Sequence, residues 1–404
     1  MMPSSSCKQR YIYADNAATT PLSAAARTAM EPFFTDIYAN PSGIHRLAKR
    51  AADKLSQLRE QLAACIQARP RELYITSGGS ESNNWILRSA AEQVWQQHGR
   101  TAQPVIITSA IEHHSVLHCC TALEQQGVVV EYLPVDQQGF ISVTDLDNAL
   151  KHHKHHVALV SLMLANNEVG SIEPIAELAA CAHAHGVRIH TDAVQALGHI
   201  PVDVTQLGVD ALSFSAHKFH GPCGIGGLYV RSDMPMLPLI AGGAQEYGMR
   251  AGTENLAGMA GMTAALVEVC KELGVRSNHV SVARDALIQA VLNADEQTQL
   301  SGPRPGAHRL PSLASFICTD VDAELLVVML DQAGIAAATG SACASGSTEP
   351  SHVICALGYT DARQNRGSLR LSLSDDISDE DTAYLCEHVP AVIKRCRLLS
   401  GSTL

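Results

Sequence analysis

Seven short apolar runs occupy residues 72–77, 104–109, 128–133, 157–164, 187–191, 211–215 and 227–230. They are rich in Val and Ile and continuous, not alternating, which is how strands covered on both faces read. Helical patterns lie between them, as at 80–98, 113–126 and 175–185. The alternation predicts an α/β fold with a mostly parallel sheet of about seven strands. Ahead of it, Leu47, Ala51, Leu55, Leu58 and Leu62 recur at helical spacing and predict an amphipathic helix over 46–62. Beyond about Met259 the pattern changes. A long helical stretch reaches about Ala294, and a Gly/Pro-rich break follows at 302–306. Next come a strand at 312–319, a helix at 323–333, a small-residue loop at 336–347, a strand at 369–374 and a last helix at 379–398. These predict a second, smaller α/β domain. The expected division is a large domain over 15–260 and a small one made of 1–14 and 261–404.

Composition narrows the class. The chain has 404 residues, 46% hydrophobic and 17% charged, which excludes a wholly disordered chain. Its apolar runs are far shorter than the roughly 20 residues a membrane span needs. A net charge of −11 gives no overall basic field, so direct nucleic-acid binding is not expected. Twelve cysteines are scattered from Cys7 to Cys396 without a Cys-x-x-Cys. Most of them read as small buried hydrophobes in a reducing compartment, and the set does not read as a disulfide scaffold. The first ten residues show no apolar signal segment, and a cytoplasmic location is expected. The tract Lys151-His-His-Lys-His-His156 reads first as a solvated loop and second as a metal site.

Five segments carry chemistry, each just past a predicted strand. Thr76-Ser-Gly-Gly-Ser-Glu-Ser-Asn-Asn84 opens a helix, and Gly78, Gly79 and Ser80 can cradle a phosphate there; an ordinary capped helix start is the alternative. Glu112-His113-His114 offers a flat imidazole that can stack on an aromatic cofactor and move protons. Ala165-Asn-Asn-Glu-Val-Gly170 offers amides. In His190-Thr-Asp-Ala-Val-Gln195, Asp192 can hold a pyridine nitrogen protonated and Gln195 can reach a second polar atom of the same ring; a helix-capping Asp is the alternative. Ser213-Phe-Ser-Ala-His-Lys218, followed by a glycine-rich turn, sets a lysine beside His217 and Ser215, where it can form a Schiff base. All five face the carboxyl edge of one sheet, where open α/β sheets bind ligands. A phosphate cradle, a stacking imidazole, an acid and a lysine are the four parts of a pyridoxal phosphate (PLP) site.

At this point the chain resembles the cysteine desulfurases, fold type I PLP enzymes related to the class V aminotransferases. The matching segments run from Tyr13-Ala-Asp-Asn-Ala-Ala-Thr-Thr-Pro21 to Ser368-Leu-Arg-Leu-Ser372. Between them Asn40-Pro-Ser42, 165–170, 191–195, Gly248-Met-Arg-Ala-Gly-Thr253 and Gly340-Ser-Ala-Cys343 match in order and spacing. The resemblance is closest to the branch serving iron–sulfur assembly and nitrogen fixation. It implies that Lys218 carries the cofactor, that His113 stacks on the ring and that Asp192 pairs with the ring nitrogen. Gln195 would bond the phenolic oxygen; Gly79, Ser80, Ser215 and His217 would hold the phosphate. Thr253 would reach the phosphate of a neighbouring subunit, implying a homodimer. Arg370 and Asn167, with Asn40 nearby, would bind the substrate carboxylate, for which an Arg fork is suited.

Cys343 lies among small and hydroxylated residues that bury little, so its thiol is expected to be accessible, unlike the other eleven. A thiolate there can take sulfur from PLP-bound cysteine as a persulfide and hand it to an acceptor protein. The chain departs from the family at Cys223, where a Lys is usual, at Tyr247, where an Arg is usual, and at Ser80 for Thr. The tail by which housekeeping desulfurases dock their scaffold is expected to be missing, which favours a dedicated sulfur route. Iron–sulfur assembly, tRNA thiolation and DNA phosphorothioation are the candidate outlets. Three other readings stand beside this one: a selenocysteine lyase, a class V aminotransferase, and a non-enzymatic sulfur-carrier or metal-binding module.

Overall fold

The computed structural model describes residues 10–153, 157–340 and 350–400. The described chain divides into two compact units. The larger holds Thr19–Asn167 and Ser171–Val275; the smaller holds Glu168–Gly170 with the described residues up to Ala18 and from Arg276 onward. Among the described residues no helix is long and apolar enough to cross a membrane.

A first short strand, β1 (Ile12–Tyr13), belongs to the smaller unit. The next seven strands build the larger unit's sheet: β2 (Leu73–Thr76), β3 (Val105–Ser109), β4 (Val129–Leu133), β5 (Val157–Met163), β6 (Ile189–Asp192), β7 (Ala211–Ser215) and β8 (Gly226–Val230). Their order is β2-β8-β7-β6-β5-β3-β4. The expected mostly parallel α/β sheet is therefore present. Only β8 runs against its neighbours β2 and β7. Its reversal has a simple cause. A parallel return needs a crossover of about a dozen residues or more, and the connection from Ser215 to Gly226 is shorter. The other six strands all end on one edge, at Thr76, Ser109, Leu133, Met163, Asp192 and Ser215.

Helix Gly79–His98 lies on this sheet, with Trp85, Ile86, Leu87 and Ala90 packed in one core with Ile106, Leu159 and Leu228. Strands β3, β7 and β8 are buried along their whole length, which is why they read as continuous runs, while edge strand β4 is only half-buried.

The smaller unit adds β9 (Thr298–Leu300), β10 (Leu313–Cys318), β11 (Ile335–Ala336), β12 (Ala338–Thr339) and β13 (Ser368–Ser372). Four of these form an antiparallel sheet, β12-β13-β10-β9, and β1 pairs in parallel with β11. Helices Ala323–Gln332 and Asp379–Ser400 contribute to its core through Leu326, Leu330, Leu385, Val389 and Ile393, against Phe316, Leu369 and Leu371. The 39-residue helix Leu256–Ala294 starts in one unit and ends in the other.

Two expectations need correction. The loop expected at 336–347 is paired at its start, since Ala336 ends β11 and Ala338–Thr339 pairs with β13. Two-residue strands leave no period to read. The cysteines are also less buried than expected. Among the described residues only Cys119, Cys120, Cys318 and Cys396 are buried, Cys223 is exposed, and five others are half-buried. Cys343 lies outside the described residues.

Buried polar side chains stitch the strand ends together. His190 on β6 bonds Ser161 Oγ of β5 at 2.9 Å and Ser213 Oγ of β7 at 2.8 Å, spanning three strands. Glu112 follows β3; its Oε1 accepts from Ser109 Oγ at 2.7 Å and from the Met163 N–H of β5 at 2.9 Å. Burial pushes its carboxyl up to about 8 against those two donors. Between the ordinary carboxyl value and about 8, the folded chain keeps a proton that the unfolded chain has lost. Stability from this group is therefore full at acid pH and declines as pH rises toward 8. Glu112→Gln should remove that decline. In urea titrations the variant's stability relative to the wild-type chain should improve from about pH 5 to about pH 8, by up to about 1.4 kcal/mol per pH unit. A difference that stays flat with pH would show that Glu112 is ionised in the fold.

Candidate active site

The carboxyl edge of the sheet holds Gly79, Asp192, Gln195, Ser215, His217 and Lys218 of the residues singled out by the sequence, with His113 just past β3. Thr76 and Ser215 both pair with Gly226, one on each side, so the ends of β2 and β7 meet across one residue of β8. Gly226 must be glycine, because a Cβ there would lie 2.4 Å from Phe214 O and 2.7 Å from Gly78 Cα. Gly78 itself has φ +153°, a conformation reserved for glycine, and Ser215 Oγ stands 3.4 Å from where its Cβ would be. A Cβ on Gly79 would meet Val194 Cγ2 at 2.5 Å. These glycines open the N-terminus of a 20-residue helix whose N-cap supplies no side chain to its own N–H groups. Free N–H groups and the helix dipole favour an anion at that point.

Beside this cradle lies a cluster of titratable groups. Lys218 ends the short turn Ala216–Lys218 after β7 and is half-buried. His217 bonds Thr19 Oγ1 through Nδ1 at 3.1 Å. Burial, and then the neighbouring Lys218 charge, push His217 down to about 4, so it is a neutral imidazole at physiological pH. Asp192 is only 5% exposed. Its Oδ1 accepts from Val194 N–H at 2.9 Å and its Oδ2 from Asn83 Nδ2 at 2.6 Å. His113 caps helix His114–Glu124, and its Nδ1 accepts from Ser115 N–H at 3.1 Å. Burial holds His113 below the usual imidazole range; the Asp192 charge opposes this and the Lys218 charge adds to it. His113, Asp192, Lys218 and His217 therefore share one electrostatic neighbourhood.

The remaining predicted residues fall out as follows. Gln195 is buried in the turn after Asp192, and Asn167 is half-buried beyond β5. Ser80 and Thr253 are exposed. Thr253 lines a cavity with Thr76, Ser77 and Arg250. Asn40 is exposed, and its Oδ1 accepts from Ser42 N–H at 2.9 Å, a local turn. Arg370 lies on β13 in the smaller unit, buried, with Nη2 donating to Asp15 Oδ1 at 2.7 Å. In the histidine tract, Lys151 pairs with Asp147 and His153 with Glu131, while 154–156 lie outside the described residues.

The structure also supplies residues to which sequence reading gave no role. Asn83 is fully buried between Asp192 and Ser115. Its signal was a polar residue on the same helix face as Ile86, Leu87 and Ala90. Glu246 and Tyr247 both adopt left-handed backbone, at φ +47° and +59°. A buried bidentate pair with Arg59 at 2.7 and 2.9 Å holds them, and Glu246 Oε2 also accepts from Ile75 N–H of β2 at 3.0 Å. The Tyr247 ring lies 5.5 Å from the Arg59 guanidinium, within cation–π range. Arg250 in turn grips Glu81, which accepts from Ser77 N–H at the cradle.

Gly226→Ala should lower unfolding stability by about 1–3 kcal/mol, since both clashing atoms are backbone. Gly274→Ala is the control: its Cβ would meet nothing within 4 Å inside a helix, so it should be neutral or stabilising. Equal stability of Gly226→Ala and wild type in urea would mean that the strand ends can part.

Residues 12–385 match the class-V aminotransferase family. A cysteine desulfurase IscS of Dictyoglomus turgidum is 41% identical over 392 residues, covering 97% of each chain. Among solved structures, a NifS-like protein aligns with a TM-score of 0.87 at 32% identity, over 95% of this chain and 100% of that one. SspA in complex with cysteine aligns with a TM-score of 0.76 at 31% identity, over 90% of this chain and 99% of that one. Similar to such proteins along nearly its whole length, the chain belongs to the class-V aminotransferase family and, within it, to the cysteine desulfurases.

Proposed function

We propose that this chain is a PLP-dependent L-cysteine desulfurase that yields L-alanine and passes the sulfur, as a persulfide on Cys343, to an acceptor protein. One observation carries the reading. His113, Asp192, His217 and Lys218 share one neighbourhood beside a helix N-terminus opened by Gly78 and Gly79. The donor set fits the cofactor: a cradle that a Cβ would fill for the phosphate, and a buried carboxylate for the ring nitrogen. When bound, PLP supplies an electron sink for bonds broken next to the substrate's amine-bearing carbon. Lys218 holds it covalently and then moves protons at that carbon. Asp192 keeps the ring nitrogen protonated, Gln195 bonds the phenolic oxygen, and His113 stacks and assists proton transfer. Gly79, Ser80, Ser215 and His217 hold the phosphate. His217, a neutral imidazole bonded to Thr19 through Nδ1, has Nε2 left for the phosphate. Arg370 and Asn167, with Asn40, orient the substrate carboxylate.

The Cys343 thiolate attacks the substrate sulfur. A sulfur–sulfur bond forms, the carbon–sulfur bond breaks, and the carbon left with the electron pair takes a proton to become the methyl group of alanine. That the related SspA is seen in complex with cysteine supports this substrate. We place the enzyme in the cytoplasm as a homodimer, with Thr253 reaching the partner subunit's phosphate. Iron–sulfur assembly is the first candidate outlet, because the resemblance is closest to that branch; tRNA thiolation and DNA phosphorothioation are the others.

Two variants test the assignment. Lys218→Ala should abolish turnover and leave no PLP fixed to the protein by borohydride; a borohydride-fixed label would refute the role of Lys218. Cys343→Ser should still bind PLP and still change its absorbance on adding cysteine. Alanine release should fall about 100-fold or more, with no persulfide trapped by alkylation, because a serine hydroxyl is a poor sulfur acceptor. Alanine release at the wild-type rate would replace this reading with a lyase that needs no loop thiol.

A further inference from the structure

The hydrogen atoms between Asp192 and His113 can be counted. Asn83 Nδ2 lies 2.6 Å from Asp192 Oδ2 and 2.9 Å from Ser115 Oγ. An amide nitrogen has two protons and no lone pair to offer, so it donates to both. Flipping the amide would set its oxygen against a carboxylate oxygen at that short distance. The orientation is thus fixed, and it has a cost: Asn83 Oδ1 is buried without a hydrogen-bond partner. An unmet buried carbonyl is destabilising. A buried asparagine that leaves its oxygen unsatisfied while spending both protons points to those protons as its purpose.

The count continues outward. Ser115 Oγ accepts from Asn83, which leaves its own hydrogen for His113 Nδ1 at 2.8 Å. The Ser115 backbone N–H also points to Nδ1, at 3.1 Å. A nitrogen receiving two donors carries no proton. The neutral imidazole must therefore hold its proton on Nε2.

We propose that Asn83 and Ser115 are positioning residues that link Asp192 to His113 and fix the resting imidazole as the Nε2–H form, so that it presents a hydrogen-bond donor at Nε2. The proposal rests on the functional reading above only in giving Asp192 and His113 a common cofactor. His113 can accept a proton only at Nδ1, and only if the Ser115 hydroxyl turns round. Asn83 opposes that turn because a hydroxyl that accepts from the amide donates its own hydrogen to Nδ1 more strongly. The link thereby makes the proton affinity of His113 depend on the Asp192 end. The other charged or titratable groups facing His113 are Lys218, His114 and His118, and none lies on this route.

The test is nitrogen NMR of the full-length chain labelled in histidine, with and without PLP, the His113 signals being those lost in His113→Gln. The wild-type chain should show the Nε2–H form; an Nδ1–H signature overturns the proposal without any further variant. In Asn83→Ala the hydroxyl is free to turn, and the His113 titration midpoint should rise by about one pH unit, a tenfold gain in proton affinity. In Ser115→Ala that response should vanish, so the double variant should titrate like Ser115→Ala alone. A midpoint that responds to Asn83→Ala equally with and without the Ser115 hydroxyl rules out the link. PLP affinity should change only a few-fold in Asn83→Ala, because the phosphate cradle is untouched. Failure of the wild-type chain to bind PLP would sink the functional reading and not this one, which is read on the protein's own imidazole.

Discussion

At the carboxyl edge of the seven-stranded sheet, Asn83, Glu112, His190 and Thr191 are shut off from water, and whatever polar partners they have come from neighbouring strands and helices. A protein–protein hydrogen bond made there adds only about 1 kcal/mol, but one left unmade costs about 1–3 kcal/mol. The asymmetry works as a constraint on register. If β5, β6 and β7 slid by one residue, His190 would lose both serines at once. If β3 moved against β5, Glu112 would lose the Met163 N–H. The register is thus pinned by polar contacts as well as by apolar packing. The edge can carry Asp192, His113 and Lys218 in constant relation because the bonds beneath them have no solvent to exchange with.

A second constraint is steric. Gly226 brings the ends of β2 and β7 to within one strand of each other, and Gly78 and Gly79 let the backbone at the start of the long helix approach the cradle. The neighbouring turn takes the opposite course, placing two non-glycine residues where glycine would be easy. Each such residue costs about 1–3 kcal/mol. The buried Arg59–Glu246 pair and the bond to Ile75 N–H offset this, and they tie the turn to β2. Arg250 and Thr253 follow within seven residues of Glu246, so the segment carrying them starts from a fixed point.

Much of this was legible in sequence, and the reasons differ by element. Each of the seven strands of the large sheet announced itself, because two covered faces demand an unbroken apolar run. The antiparallel setting of β8 was not visible, since a continuous run carries no direction. β1, β11 and β12 are two residues each and β9 three, too short for any period. Asp192, His113, His217 and Lys218 could be named because each ends or follows a strand, and strand ends share an edge. Asn83 was passed over for the opposite reason. It sits in a helix, and only the side-chain geometry shows that its amide points at Asp192. Tyr247 read as a departure from the family pattern until Arg59 was seen beneath it.

The cysteines carry a consequence for sulfur traffic. Burial raises Cys119, Cys120, Cys181, Cys318, Cys355 and Cys386 above the ordinary thiol range, Cys318 to about 12. Such thiols stay protonated at neutral pH, and a protonated thiol neither attacks a persulfide nor competes for its terminal sulfur. A chain that handles sulfur in this reactive form runs the risk of losing it to its own side chains. Here the surroundings of those six cysteines make them poor acceptors; among the described thiols Cys223, which is exposed, and Cys270, which its bond to Cys65 lowers, lack that protection.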